Sequence, residues 1–294
     1  MVIKKVGIRP EEVKGGTVLY VEGTEDSIDS TVLKALLDNQ VSVKPMESFY
    51  EISSVAKALW RHHPTYYFLI DRDHHSISYI NQCWDNFPDP NECNLLIWKK
   101  REIENYFLDP DYLVKSIYFN GKRDELASKI LRYANDRKFF DAANQVIVSI
   151  REELKTNWVE IFGGPSNFPD KKTALKNLKE VTEFQKYPDT VARKLSEGEI
   201  EERFNQRVEN MTGGEEELTF GAGDWQDMIK GRPVLESVIH QTGYFRVNSA
   251  DGKLLEGREK TYEIVKELLR NSDNENNQPE DFTKLKDLIL SRIS

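Results

Sequence analysis

Four acidic side chains in two short stretches are the residues best equipped for chemistry: Glu22 and Asp26 of Val21-Glu22-Gly23-Thr24-Glu25-Asp26, and both aspartates of Asp71-Arg72-Asp73. Carboxylates arriving from separate elements make the all-oxygen donor set that Mg2+ takes, with water and phosphate filling the remaining positions. The reaction such a site suits is phosphodiester hydrolysis, where one or two divalent cations neutralise the scissile phosphate and activate water. Gly23 lets the backbone turn sharply behind Glu22 and lets an anion come close. Asp26 is expected in the first turn of the helix that follows, so that it and Glu22 face one point above a helix N-terminus that itself favours anions. Two aspartates one residue apart, just past a strand, face the same side. The plainer alternative is that the first group caps a helix and the second shapes a turn.

The elements that must position these acids read as alternating strands and helices. Thr17-Val18-Leu19-Tyr20-Val21 is a β-branched and aromatic run. A helix follows, capped by Thr24, with Ile28, Val32, Leu33, Leu36 and Leu37 at helical spacing. Val41-Ser42-Val43 is a second short strand, and Ile52, Val55, Ala56 and Leu59 mark a second amphipathic helix. Tyr66-Tyr67-Phe68-Leu69-Ile70 is apolar without alternation, the pattern of a strand covered on both faces. A helix from about Ser76 to Trp84 and a fourth strand at Asn94–Trp98 complete an open parallel α/β sheet with helices on both faces. Its binding crevice lies beyond the carboxyl ends of the strands, where both acidic groups fall. After residue 102 helical patterns dominate, over 103–118, 122–134, 137–155 and 171–182. In the third of these, Phe139, Ala143, Val146, Ile147 and Ile150 form one apolar face. Residues 210–224 read as a loop, and Asn271–Glu280 as a mobile polar segment. The expected organisation is a catalytic domain over 1–118 and a mainly helical domain over 119–294 for substrate and partner binding.

VEG-x-x-D after the first strand, followed by D-x-D after a Tyr/Phe/Leu/Ile strand, resembles the TOPRIM domain of topoisomerases, bacterial primases and overcoming-lysogenisation-defect (OLD) nucleases. The resemblance implies a Rossmann-like sheet, Glu22 as an acid/base or metal residue, and Asp71 and Asp73 as Mg2+ ligands. It adds Asp26 as a further metal ligand. Arg101-Glu102-Ile103-Glu104-Asn105-Tyr106-Phe107-Leu108 is similar to a run in stand-alone OLD-like TOPRIM proteins and implies Glu104, with Glu102 behind it, as another metal carboxylate. A helix start with Ile103, Tyr106 and Phe107 in the core explains the same residues equally well. Ile229–Leu235 looks like that family's late Gly-Lys segment. Here Gly231-Arg232 stands where Gly-Lys is expected, which leaves open whether Lys230 or Arg232 offsets transition-state charge.

The chain contains no Walker A sequence, so the ATPase fused to full-length OLD proteins is missing. A TOPRIM module with a helical extension resembles the AriB-type effector subunits of the PARIS phage-defence system. That implies an antiviral effector, held inactive by a separate ABC-type ATPase, that cleaves RNA, transfer RNA foremost, once released. A DNA endonuclease or nickase of ordinary OLD type is the alternative within the family, and a non-catalytic TOPRIM partner subunit the alternative outside enzymes. A homodimer stays open. One or two Mg2+ ions, with Mn2+ as substitute, are the cofactors implied.

The rest of the composition narrows the classes. A net charge of −9 argues against a protein that coats nucleic acid through a basic face, though bound cations would offset carboxylates at a nuclease site. No run approaches the roughly 18 apolar residues of a membrane helix, and no secretory leader is seen, so a cytoplasmic location is expected. Cys83 and Cys93 lack metal-site spacing. His62-His63 suits a helix end, and His74-His75 a surface turn beside the D-x-D pair.

Overall fold

The computed structural model describes residues 16–293 except 26, 47–48, 60–61, 74, 88–93, 157–171, 173–175, 177–179, 181 and 276–277. Asp26, His74, Cys93 and most of the helix expected over 171–182 therefore lie outside the described residues. By its contacts the chain divides into two compact units, residues 1–133 with 230–294, and residues 134–229. This differs from a single cut at 118/119, because the last helices belong with the sheet.

In the first unit β1 (Val18–Glu22), β2 (Ser42–Met46), β3 (Tyr66–Ile70) and β4 (Leu95–Ile97) form one sheet in the order β2-β1-β3-β4. All pairs are parallel, with Val18 opposite Ser42 and Tyr66, and Phe68 opposite Leu95. Helices α1 (Ile28–Leu36), α2 (Phe49–Leu59) and α3 (Ile77–Asn86) make the crossovers in this α/β, Rossmann-like arrangement. Every residue of β3 is buried, as its unbroken apolar run requires. Tyr20 stacks on Phe68 at 5.3 Å across the two central strands. Pro45 is tolerated in β2 because that strand is at an edge, where a missing N–H costs no ladder bond.

Some local expectations are corrected. Ser27, not Thr24, caps α1: its hydroxyl accepts from Ser30 N at 3.2 Å, while the Thr24 carbonyl accepts from Ser27 N. Asp29 therefore occupies the first turn. The helix expected over 103–118 is broken into a 3-10 turn (Ile103–Phe107) and α4 (Pro110–Leu113), since Asp109 caps a new helix with Pro110 at its first position. Beyond α5 (Arg123–Asn135), two late helices close over the sheet unit: α10 (Gly231–Gln241) and α11 (Gly257–Glu275). The helix α11 runs through the first half of the segment expected to be mobile, to Glu275. The last helix, α12 (Glu280–Leu290), buries Phe282, Leu285 and Ile289. Phe282 meets Trp98, Tyr106 and Phe107 at centroid distances of 5.6, 4.8 and 5.9 Å. Asp281 beside it accepts from the Tyr106 hydroxyl at 2.6 Å and pairs with Lys99 at 2.7 Å.

The second unit is helical, with α6 (Lys138–Thr156), α7 (Thr182–Lys194), α8 (Glu197–Thr212) and the short α9 (Trp225–Met228). On α6 the buried row is Ala142, Val146 and Ile150, whereas Phe139 and Ile147 are 56% and 54% exposed. The apolar face of α6 is thus narrower than its composition suggested. Arg203 of α8 holds Glu153 through both terminal nitrogens, and Lys194 joins the same carboxylate. Among the described residues, no helix is long and apolar enough to cross a membrane.

Candidate active site

β1 lies between β2 and β3, the crossover after β1 leads to β2 and the one after β3 leads the opposite way to β4, so the crevice between the ends of β1 and β3 is the topological switch point of the sheet. Glu22 is the last residue of β1, and Asp71 follows β3 directly. Their adjacency is direct: Asp71 N donates to Glu22 Oε2 at 3.4 Å. Gly23 then leaves with φ +107°, a backbone conformation only glycine adopts easily, and a Cβ there would press on the Ser27 side chain at 3.0 Å. Asp73 turns with φ +41°, a left-handed conformation that aspartate tolerates better than most residues. Arg72 between the two aspartates points away, its N–H donating to Arg101 O and its guanidinium to Lys99 O.

The segment after β4 brings two more acids. Glu102 caps the 3-10 turn reciprocally with Asn105, and Glu104 is buried in its first residues, 2% exposed. The N-terminus of α10 closes on them. A Cβ on Gly231 would fall 2.7 Å from Asn105 N, so only glycine lets the two backbones meet this closely. The next residue, Arg232, is thereby set inside the acidic group. Its backbone N–H donates to Glu102 Oε2 at 3.1 Å, its Nε donates to Glu104 Oε1 at 2.6 Å, and a terminal nitrogen lies 3.9 Å from Asp29 Oδ2. Lys230 Nζ lies 3.9 Å from Glu102 Oε1. The two late cations thus differ in their contacts: Arg232 meets Glu102, Glu104 and Asp29, whereas the Lys230 ammonium stands 3.9 Å from Glu102.

This much negative charge in a poorly hydrated place resists ionisation. Burial, reinforced by Glu104, holds Asp29 well above the usual carboxylate range. Asp71 is raised in the same way, by burial and then by Asp29, Glu22, Glu102 and Glu104. Glu22 is raised by burial and by Asp73, although the Asp71 N–H opposes the shift. Glu104 is raised by burial in spite of Arg232. Burial works against the charge of Arg232, but Glu104, Glu102 and Asp29 outweigh it and bind its proton more firmly.

Of the residues singled out in the sequence, Glu22, Asp71, Asp73, Glu104, Lys230 and Arg232 are thus gathered at one end of the sheet, and Asp26 lies outside the described residues. Asp29 was missed. Its signal was available, an acid at the start of the helix behind Glu22, but it was hidden by placing the cap at Thr24. A cleft of about 340 Å³ opens beside the cluster, lined by Gly23, Thr24, Ser27, Glu104, Arg232 and Arg258, among others.

Among the described residues, no three His, Cys, Asp or Glu side chains converge tightly enough to hold a metal ion. The donor chemistry nonetheless fits an oxygen-liganded cation. Glu104 Oε2 is buried without a hydrogen-bond partner, while its other oxygen is taken by Arg232. A buried carboxylate oxygen left without a donor is costly unless a cation meets it. No protein-family model matches the chain, and no curated protein matches it.

Proposed function

We propose that this protein is a metal-dependent nuclease that hydrolyses phosphodiester bonds at the switch point of its sheet. The observation that supports this most is the grouping of Glu22, Asp29, Asp71, Glu102 and Glu104 at one end of the sheet, with Arg232 bonded to Glu102 and Glu104 and one buried carboxylate oxygen of Glu104 unpartnered. An acidic group of this kind is a poor ligand for phosphate until cations offset it, which suits a site loaded with Mg2+ or Mn2+.

Glu22, Asp71 and Glu104 would hold the ion, with Asp73 and Asp29 close enough in charge to tune it. When bound, a divalent cation supplies charge neutralisation at phosphate and an acidified water. Glu22, at the end of β1, would also accept the proton of the attacking water. The hydroxide oxygen bonds to phosphorus, the bond to the leaving oxygen breaks, and the proton taken by Glu22 passes through water to that oxygen. Arg232 faces the accumulating negative charge and is held in place from behind by Glu104. It is the better candidate of the two late cations for this role, because its guanidinium is bonded to the buried Glu104 at 2.6 Å while Lys230 approaches Glu102 at 3.9 Å.

The substrate and setting follow the likeness to stand-alone OLD-type TOPRIM effectors. On that reading the nuclease acts on RNA, transfer RNA foremost, in antiviral defence, under restraint by a separate ABC-type ATPase. The test is incubation of purified protein with Mg2+ and, in parallel, transfer RNA and supercoiled plasmid. RNA cleavage that Glu22→Ala abolishes, with the fold intact by circular dichroism, is the expected result. Cleavage of plasmid alone would replace the RNA assignment with an OLD-type DNA endonuclease. Equal cutting by wild type and Glu22→Ala would overturn the active-site assignment. Sequencing of RNA ends after expression beside Glu22→Ala extends the test to cells.

A second reading, a non-catalytic subunit that keeps the fold for protein contacts, is favoured by one observation: the net charge of −9. Calorimetric titration with Mn2+ separates the readings, since a nuclease loses binding in Asp71→Ala and a scaffold shows none to lose.

A further inference from the structure

Two clefts flank the contact between α1 and α11. The first, beside the acidic cluster, is lined by the start of α1 and by Arg258, Thr261 and Tyr262 of α11. The second, of about 660 Å³, is lined by Thr31, Lys34 and Leu36 farther along α1 and by Lys266, Leu269 and Arg270 farther along α11, with Lys286 of α12. The two helices therefore run side by side in the same direction, with one cleft at their starts and the other farther along both. Four cations and only one carboxylate, Asp38, line the second cleft.

On α11 the residues facing the clefts, Arg258, Tyr262, Lys266 and Arg270, are spaced by four. They form one ridge that winds slowly round the helix. Glu263 and Glu267 of the same helix are on the adjacent row: Glu263 pairs with Lys266, and Glu267 is buried and accepts from the Ser116 hydroxyl at 2.6 Å. Sorting basic from acidic side chains on one helix leaves a cationic edge in a protein whose total charge is negative. The ion pairs of Lys34 with Glu25 and of Lys266 with Glu263 involve water-accessible partners. Such pairs are weak and readily exchanged for phosphate. Twelve residues of helix span about 18 Å, the length of about five stacked nucleotides of one strand. Tyr262 between the cations offers a ring of the type on which bases stack.

We propose that this ridge of α11, with Lys34 and Lys286 opposite, is the track that carries the nucleic-acid strand to or from the acidic cluster. The inference rests on the nuclease reading, and it adds the residues that bind phosphates away from the scissile one. Each cation that meets a phosphate of a single strand adds about 0.7 to the slope of log affinity against log salt.

The test is fluorescence anisotropy of a labelled single-stranded RNA, with Ca2+ in place of Mg2+ and again in EDTA, over a range of salt. Replacing Arg258, Lys266 and Arg270 together by alanine should lower the slope by about 2 and weaken binding at least tenfold at low salt. Arg258→Lys with Arg270→Lys should keep the slope. A control triple, Lys115→Ala, Lys122→Ala and Lys253→Ala, removes as much charge elsewhere on the same unit and should change the slope little. If wild type binds RNA but the α11 triple keeps its slope, or the control loses as much, the track is wrong and the nuclease reading stands. If wild type binds neither RNA nor DNA in either buffer, both fall.

Discussion

Arg232 Nε lies 2.6 Å from Glu104 Oε1, a bond that joins the start of α10 to the 3-10 turn behind β4 across 128 residues of chain. Glu104 is 2% exposed at its side chain and Arg232 52%. The buried partner depends on the pair far more than the exposed one does, so Arg232 acts as the resident counter-ion of the acidic group.

Removing Arg232 should therefore destabilise the protein through Glu104 and Asp29. Breaking a fully buried pair costs about 3–5 kcal/mol, and access of water to the arginine reduces this to roughly 2 kcal/mol for Arg232→Ala. Urea unfolding in EDTA measures it, and saturating Mn2+ should recover part of the loss. Arg232→Lys should keep some of the charge effect but not the forked geometry. Unchanged stability in Arg232→Ala would show that the acids need no counter-ion.

The acidic cluster also predicts how stability depends on pH. Asp29, Asp71, Glu22 and Glu104 all have proton affinities raised by folding. Between the unfolded carboxylate range, near pH 4, and the raised folded values, the native state holds more protons than the unfolded one. The contribution of these groups is thus present below about pH 4 and is lost as pH rises through the folded values. In EDTA, the melting temperature of Asp29→Asn should gain on that of wild type between pH 5 and pH 8. Parallel melting curves at both pH values would contradict it.

Asp29 should matter to the site as well as to the fold. It lies beside Glu104 and Arg232 at the start of α1, so Asp29→Asn should weaken Mn2+ binding or cleavage by about 10–100-fold. Calorimetry on the variant, whose volume is nearly unchanged, gives the answer. Wild-type affinity would place Asp29 outside the metal's reach.

Gly231 should tolerate no side chain. In Gly231→Ala the new Cβ must push Asn105 and the 3-10 turn away from α10, at a cost of about 1–3 kcal/mol. The Arg232 contacts to Glu102 and Glu104 should loosen with it. A urea midpoint equal to that of wild type would show that the close approach is unnecessary.

Tyr106→Phe should cost about 1–2 kcal/mol, because Asp281, 8% exposed, loses its hydroxyl donor and keeps Lys99. Urea unfolding of the variant reads the loss, and a wild-type midpoint would show that Lys99 alone satisfies the carboxylate.

Much of the sheet was legible in the residues themselves. Tyr66–Ile70 is apolar without a break because both of its faces are covered, and Glu22 and Asp71 mark strand ends because an acid terminates each run. These are local signals, set by backbone geometry and by water. The start of α1 is local too, but Thr24 and Ser27 both fit a cap there. Only the turn at Gly23 decides in favour of Ser27, and with it which aspartate enters the first turn. Similarly, the apolar residues of α6 predict a helix, but which row is covered depends on what packs against it. Arg232 and Glu104, or α11 alongside α1, have no local signature at all. Their meeting depends on a glycine that lets two backbones touch and on a C-terminal helix anchored by Phe282 and Asp281, and those contacts exist only once the whole unit has folded.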